Sequence, residues 1–455
     1  MNTLKKHVTH GGYQQLLLLA IPIILNTGLF ALQHIINRIF LTWYSEEAVA
    51  AVMPAGILQF SILALFFGTS GYVSTFIAQY HGAVQKHMMV KILWQGLFVA
   101  LFGAFFFLFL IPLAVPFFSF IGHAKLVQQN EVIYFQILCA AAFFPIASNA
   151  LVGYFSGTGN TWPSFYVAIG STLINVICDY LLIFGNFGFP ELGIKGAGIS
   201  IVCSTAFSFF CYLFLILREK QVGLFHKPNF FHFEWPLFKR LLKFGFPQGL
   251  QMFLDLFGIT IFVLLIGRLG TDYLAATNIA FNLNMLIFMP LTGLSIAVSI
   301  LVGQNIGANK SQLAEKSTYN GLKISLLYVL IISFICFFFP EILLYIFGIQ
   351  ANQHFANVQH ISSLLLKFVA AYSFFDAIFI IFSAALRGAG DTIFVMKIVG
   401  LYSIIFLMLP VYILLEIFHG SIFIAWGILV FYVFMLGATI WLRFEKKIWK
   451  NMTVL

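Results

Sequence analysis

The stretch AAYSFFDAIFIIFSAALRGAGDT, residues 370–392, places one carboxylate in a segment that is otherwise suited to the hydrocarbon core of a membrane. Asp376 is that carboxylate, and Tyr372 precedes it by four positions, so the two side chains share one face of a helix. A charge near the centre of a bilayer costs at least about 2.5 kcal/mol, which calls for a partner, a cavity or a bound ion. The stretch therefore predicts a transmembrane helix that contributes to a functional site.

The composition extends this interpretation to the whole chain. Of its 455 residues, 61% are hydrophobic and 9% are charged, whereas about a quarter of the residues in a soluble globular protein are charged. A membrane-spanning helix needs roughly 20 apolar residues. Dividing the sequence at its glycine, proline and charge clusters predicts an all-α integral membrane protein with twelve transmembrane helices, at residues 14–40, 48–79, 93–118, 132–156, 162–185, 194–217, 240–266, 273–303, 323–347, 360–386, 393–416 and 420–443.

Several classes of function are disfavoured by what the sequence lacks. The five cysteines are odd in number and have no metal-ligand spacing, so neither a disulfide framework nor a zinc site is predicted. The sequence contains no GxxxxGK[ST] phosphate loop, which argues against an ATP-driven pump. We expect no cofactor. We also expect no nucleic-acid partner, because the net charge of +9 is better explained by membrane topology.

Lysine and arginine residues are distributed unequally over the predicted topology. If both termini lie on one side, that side collects 19 of the 24 Lys and Arg residues and the opposite side collects four. Cytoplasmic loops carry the excess of positive charge, so both termini are predicted to be cytoplasmic, in the inner (plasma) membrane of a bacterium. Residues 218–239 form the longest polar connection and are predicted to be a cytoplasmic linker between lobes of six helices at residues 1–217 and 240–455.

The two predicted lobes share sequence landmarks. GTSGYVSTFIAQYHGA at 68–83 aligns with GLSIAVSILVGQNIGA at 293–308 at an offset of 225, and Pro22 and Pro247 keep that offset. SGTGNT at 156–161 pairs with RGAGDT at 387–392 at an offset of 231. The order of these landmarks predicts a duplicated six-helix unit whose copies are related by a pseudo-two-fold axis along the membrane normal. Such halves commonly enclose a substrate site that opens to either face in turn, although duplication could also serve only to build a stable bundle.

A second carboxylate lies at similar depth in the second half. Asp255 is about eleven residues beyond the cytoplasmic edge marked by Lys243, which is near the midplane for a rise of roughly 1.5 Å per residue. Asp255 and Asp376, together with Tyr372, could supply hard oxygen ligands to a cation such as Na+. The same residues could instead bind and release a proton. In a third alternative, each Asp only bonds a neighbouring helix.

Several motifs together resemble the multidrug and toxic compound extrusion (MATE) transporters, in particular their NorM-type branch. They are LAIP in the first helix, LINVICDYLLIFG in the fifth, KGAGIS before the sixth, GQNIGA after the eighth and ALRGAGDT after the tenth. The resemblance implies two lobes of six helices and export of drugs or metabolites in exchange for Na+ or H+. It also assigns the cation-binding acid of the seventh helix to Asp255, and the tyrosine and aspartate of the tenth to Tyr372 and Asp376. NorM-type members usually have Glu at the position of Asp255.

The first lobe departs further from the family pattern. The first-helix motif, typically VDTIFVG, reads INRIFLT here, so that Asn37 replaces its aspartate and Arg38 follows. Asn175 and Asp179 form an i, i+4 pair in the fifth helix, where this branch often has two asparagines. Asp179 could pair with Arg38 in a structural polar network, or these residues could form a second coupling site. His34 shares the face of Arg38 and is either a hydrogen-bonded core residue or a member of the network.

Asn278 and Asn282 lie one turn apart at the start of the eighth helix. They could line the cation cavity, but hydrogen bonding between helices would explain them equally well.

The sequence thus predicts a secondary antiporter that exports drug-like, often cationic organic compounds in exchange for Na+ or H+ by alternating access, and that functions as a monomer in the lipid bilayer. One alternative is a lipid-linked saccharide flippase of a related fold, for which a more cationic cavity is expected. Another is an integral-membrane transferase, which would need clustered acids near a membrane face. The deep acids Asp179, Asp255 and Asp376 lie on separate helices, so an enzyme is not expected.

Overall fold

The computed structural model describes residues 11–219, 232–345 and 353–455. Most of the predicted linker, residues 220–231, lies outside the described residues, as do the last two residues of the predicted ninth helix. The described part of the chain is built from helices α1 to α17: Tyr13–Tyr44, Glu46–Gly71, Val73–Gly82, Lys86–Leu110, Ala114–Ile121, Lys125–Ala140, Phe143–Thr158, Trp162–Phe184, Ile194–Arg218, Trp235–Gly267, Thr271–Gly307, Ser311–Phe338, Pro340–Tyr345, Gln353–Ala389, Thr392–Tyr402, Leu409–Tyr412 and Ile422–Glu445. Two π-helical segments, Ser403–Met408 and Ile413–Ile417, flank α16.

The prediction of an all-α membrane protein with about twelve spans is confirmed. Among the described residues, eleven helices are long and apolar enough to cross a membrane, and a bent pair formed by α6 and α7 makes a twelfth candidate. The pair is bent by 44° where the sequence predicts one continuous helix at 132–156. Pro145 in the first turn of α7 cannot donate a hydrogen bond to the preceding turn, which explains why the helix breaks there.

The chain divides into two compact units. The N-unit contains residues 21–250 and 454–455, and the C-unit contains residues 251–453 together with the described start of α1. This division falls inside α10, shortly after Pro247, and not in the 218–239 connection that the sequence predicts. The first half of α10 packs closely within the N-unit, because a Cβ added to Gly249 would lie 2.1 Å from the carbonyl oxygen of Leu65.

One glycine contact occurs at corresponding positions of the two units. A Cβ added to Gly157 would lie 2.6 Å from the carbonyl oxygen of Ser74, and a Cβ added to Gly388 would lie 2.5 Å from that of Ser299. Ser74 and Ser299 differ by the repeat offset of 225, and the two glycines differ by the offset of 231. Each contact brings two helices of one unit into backbone contact, and the agreement supports the duplicated six-helix unit.

We expect Gly157→Ala and Gly388→Ala each to destabilise the protein by about 1 to 3 kcal/mol, because the new methyl group meets a backbone oxygen that cannot move independently. The apparent melting temperature in detergent measures this loss. Gly28→Ala and Gly427→Ala are the controls, since an added Cβ meets no atom within 4 Å at either position. Equal melting temperatures for all four variants would contradict the proposed close packing.

Candidate functional site

The first carboxylate of the C-unit lies on α10 and is linked to an arginine at the end of α14. Gln251 Nε2 donates to Oδ2 of the half-buried Asp255 at 3.5 Å, and Arg387 Nη1 donates to Oε1 of Gln251 at 3.4 Å. Gln251 is itself buried. The amide therefore connects a fixed guanidinium to the carboxylate and orients both.

The second carboxylate lies on α14, where Asp376 follows Tyr372 by one turn. Tyr372 is buried and Asp376 is half-buried. The charges of Asp376 and Asp255 act on each other, and the phenol of Tyr372 lies in the field of Asp376. Two like charges repel strongly in apolar surroundings, and a cation that lies near both removes the repulsion. These charge interactions link the three residues that the sequence predicts for a cation site, and their binding of a cation stays a prediction.

The packing of α14 fixes this arrangement. Leu291, Val329, Ala377 and Ile380 form a buried cluster in which residues of α11, α12 and α14 meet. Ala377 is the neighbour of Asp376 in the chain, so the backbone that carries the carboxylate is held by a packed core.

Two further polar residues at this site were missed by the sequence analysis. Tyr432 on α17 lies in the field of both Asp255 and Asp376, and its hydroxyl is 3.0 Å from Oγ of Ser403. Both residues are buried. An isolated tyrosine in an apolar helix gives no local signal of function, and Ser403 belongs to no recognisable motif.

The N-unit contains a separate buried polar network. Asn37 Nδ2 lies 3.4 Å from each carboxylate oxygen of the fully buried Asp179. Asn175 is fully buried, and neither its amide oxygen nor its amide nitrogen has a hydrogen-bond partner in the described residues. A buried carboxylate among neutral donors, next to an unsatisfied amide, can accommodate a positive charge or a proton.

Two residues predicted for this network lie elsewhere on α1. Arg38 is exposed. Among the described residues, the ion pairs join other side chains, and none joins Arg38 to Asp179. The alternative in which Arg38 neutralises Asp179 is therefore wrong. His34 is also exposed, and its ring meets the edge of Phe30 at 4.6 Å between centroids. Asn37, one position before Arg38, points about 100° away from it around the helix and takes the place of the predicted partner.

Asn278 and Asn282 are both exposed on α11. Asn282 Nδ2 donates to the backbone carbonyl of Asn278 at 2.8 Å, a bond within the same helix. Their role in lining a cavity stays a prediction.

The available ligand atoms are hard oxygens. Across the described residues, no group of three or more His, Cys, Asp or Glu side chains could hold a metal ion. The cluster in the C-unit instead combines two carboxylates with phenol hydroxyls. Such a donor set suits Na+ or a proton and does not suit soft metals, which prefer thiolate or imidazole ligands.

Comparison with known proteins gives a family match over most of the chain. The model of the MatE family matches residues 22–181 and again residues 247–414. The two matches begin 225 residues apart (247 minus 22), which is the offset of the first sequence repeat.

Relatives with assigned names are multidrug resistance proteins. The chain is 26% identical to "Probable multidrug resistance protein NorM" of Thermotoga maritima, over 91% of this chain and 88% of the relative. It is also 26% identical to "Multidrug resistance protein MdtK" of Cronobacter sakazakii, over 83% and 82%. A solved structure of a MOP superfamily transporter from Pyrococcus furiosus matches with a TM-score of 0.87 at 19% identity, covering 97% of each chain. At this identity the structural match supports the fold alone.

Proposed function

Because the chain belongs to the MatE family, we propose that it is a secondary antiporter of the bacterial inner membrane. It exports drug-like, often cationic organic compounds in exchange for Na+ or H+ by alternating access. The names of its relatives support drug export. We further propose that it acts as a monomer, with both termini in the cytoplasm and without enzymatic activity.

The observation that carries this proposal is that Asp255 and Asp376 lie on two membrane helices of one unit, close enough for their charges to interact. The mutual repulsion of the two acids disfavours the state in which both are charged and nothing is bound. Binding of Na+ or a proton relieves the repulsion. The ion drives export only if it binds two conformations of the protein with different affinity. Its return down its own gradient then supplies the free energy for expelling the substrate.

The network around Asp179 is a second candidate for coupling. Its carboxylate lacks the arginine partner that would have made it purely structural, and Asn175 offers an amide oxygen without a partner. One assay can assign coupling to one of the two clusters, because they lie in different units.

The test is efflux of ethidium from proteoliposomes that contain only this protein, under a sodium gradient and separately under a proton gradient. Wild type is compared with Asp376→Asn and Asp179→Asn. We expect an imposed ion gradient to drive efflux in the wild type and Asp376→Asn to abolish it. Retained efflux in Asp179→Asn assigns coupling to the C-unit, and the reverse pattern assigns it to the N-unit.

Two outcomes of this assay would refute the proposal. If wild-type protein moves ethidium under neither gradient, the antiporter assignment fails. If both variants keep full activity under both gradients, neither cluster couples transport to an ion. A parallel assay with a fluorescent lipid-linked saccharide, for which we expect no gradient-dependent movement, tests the flippase alternative.

A further inference from the structure

We infer that Tyr432 supplies a further oxygen ligand to the coupling cation held by Asp255 and Asp376, and that Ser403 orients it. This inference rests on the proposed function and adds a third helix, α17, to a site that the sequence places on α10 and α14.

The position of Tyr432 is the first support. It is 7% exposed, and it lies close enough to both carboxylates for their charges to act on its phenol. A buried phenol hydroxyl requires a hydrogen-bond partner. The partner here is the hydroxyl of Ser403 at 3.0 Å, which fixes the rotation of the C–O–H group.

The surroundings of Ser403 are the second support. It begins the π-helical segment Ser403–Met408, and π-helical turns occur mostly as local insertions that are frequent at functional sites. A Cβ added to Gly258 would lie 3.3 Å from Ser403 Oγ. Gly258 follows Asp255 by three residues, so it lies on the same face of α10. The helix that carries one carboxylate therefore packs against the serine that holds Tyr432.

These contacts define a ligand set for a small cation. When Tyr432 donates its hydrogen to Ser403 Oγ, the lone pairs of its phenol oxygen remain available to an ion. Two carboxylates and the phenol oxygens of Tyr372 and Tyr432 then present hard donors from three helices. The Arg387 guanidinium, which acts on Asp255, offsets part of the two negative charges. A net negative charge remains to attract Na+, and the neutral phenols complete its coordination.

The test compares Tyr432→Phe with Tyr402→Phe by equilibrium binding of radioactive sodium to the purified protein and by the sodium concentration that gives half-maximal ethidium efflux. The control is matched, because the Tyr402 hydroxyl lies 3.0 Å from Thr439 Oγ1 and so also joins the helix before Ser403 to α17. We expect Tyr432→Phe to raise the half-saturating sodium concentration by about tenfold or more. Tyr402→Phe should leave it unchanged. Ser403→Ala should cause a smaller increase, since the phenol remains but is no longer oriented.

The outcomes separate this inference from the proposed function. If Asp376→Asn loses sodium binding but Tyr432→Phe binds sodium as the wild type does, Tyr432 is not a ligand. The antiporter proposal is unaffected by that result. Wild-type sodium binding and wild-type transport in both Asp376→Asn and Asp179→Asn overturn the proposed function itself. Transport that responds to a proton gradient and not to sodium also overturns the ligand role. An equal fall in melting temperature and equal loss of sodium binding in both tyrosine variants would show that Tyr432 is only structural.

Discussion

Asp255→Asn is expected to reduce gradient-driven efflux by about 100-fold or more, because it removes one of the two charges that bind the coupling cation. The folded protein should not suffer, since the substitution removes a charge from apolar surroundings and keeps an oxygen that Gln251 can still bond. The measurement is the initial rate of ethidium efflux from proteoliposomes at saturating sodium or proton gradient, with the melting temperature as a check on folding.

Two further variants sharpen this prediction. Asp255→Glu restores the residue that the family resemblance associates with this position, and it should retain efflux because both carboxylates remain. Asp272→Asn is the matched control: Asp272 lies in the first turn of α11, where it accepts a hydrogen bond from Asn357 at 3.1 Å. Efflux in Asp255→Asn as fast as in Asp272→Asn would remove Asp255 from the coupling site.

The second large effect concerns the stability of the C-unit. Arg443 Nε donates to Asp391 Oδ2 at 2.8 Å, and the side chains are only 22% and 8% exposed. The guanidinium also lies 4.5 Å from the ring centre of Phe394. Asp391→Asn leaves the arginine without its counter-ion in a largely buried site, at an expected cost of about 2 to 3 kcal/mol after allowance for the exposed part of the pair. The apparent melting temperature should fall by about 5 °C or more.

The ion pair of Arg268 and Glu416 provides the control for this prediction. Its side chains are 64% and 33% exposed, so solvent screens the charges. Glu416→Gln is expected to cost at most about 1 kcal/mol. Equal melting temperatures for Asp391→Asn and Glu416→Gln would show that burial of the Arg443 pair adds nothing to stability.

The C-unit site could be predicted from the sequence where a residue conflicts with its local environment. Asp255 and Asp376 are charges in apolar segments, and Tyr372 shares a helical face with Asp376. Such conflicts are visible without a structure, because burying a charge is costly at any position in a membrane. Tyr432 creates no conflict, since a phenol is tolerated throughout membrane helices. Its importance arises from contacts among three helices, which residue spacing along one helix does not reveal.

The polar network of the N-unit shows a different limit. The sequence places Asn37, Arg38 and Asp179 in one polar network, and the structure places Asn37 in contact with Asp179. The choice between Asn37 and Arg38 as the partner of Asp179 depends on which side of α1 faces α8. Adjacent residues on a helix differ by about 100° in direction, so a small error in the assumed orientation exchanges one for the other.

The helix boundaries also differ from those predicted, for reasons of chemistry. Division of the sequence at its glycine, proline and charge clusters predicts the ninth span at residues 323–347, but α12 begins at Ser311. Its first three turns carry Glu315, Lys316 and other polar residues, which suit the interfacial region and continue the helix without adding to its apolar length. Hydropathy indicates which residues lie in the hydrocarbon, but it does not indicate how far the helix extends beyond them.

The glycine contacts of the two units also bear on the evolution of the chain. The contact of Gly157 with Ser74 and that of Gly388 with Ser299 occupy corresponding positions, which is what a duplicated ancestral contact predicts. Asp391 corresponds to the uncharged Asn160 at the offset of 231, and its ion pair with Arg443 is therefore a specialisation, gained in one half or lost in the other after duplication. The two halves thus share their close backbone packing and differ in the charges placed beside it.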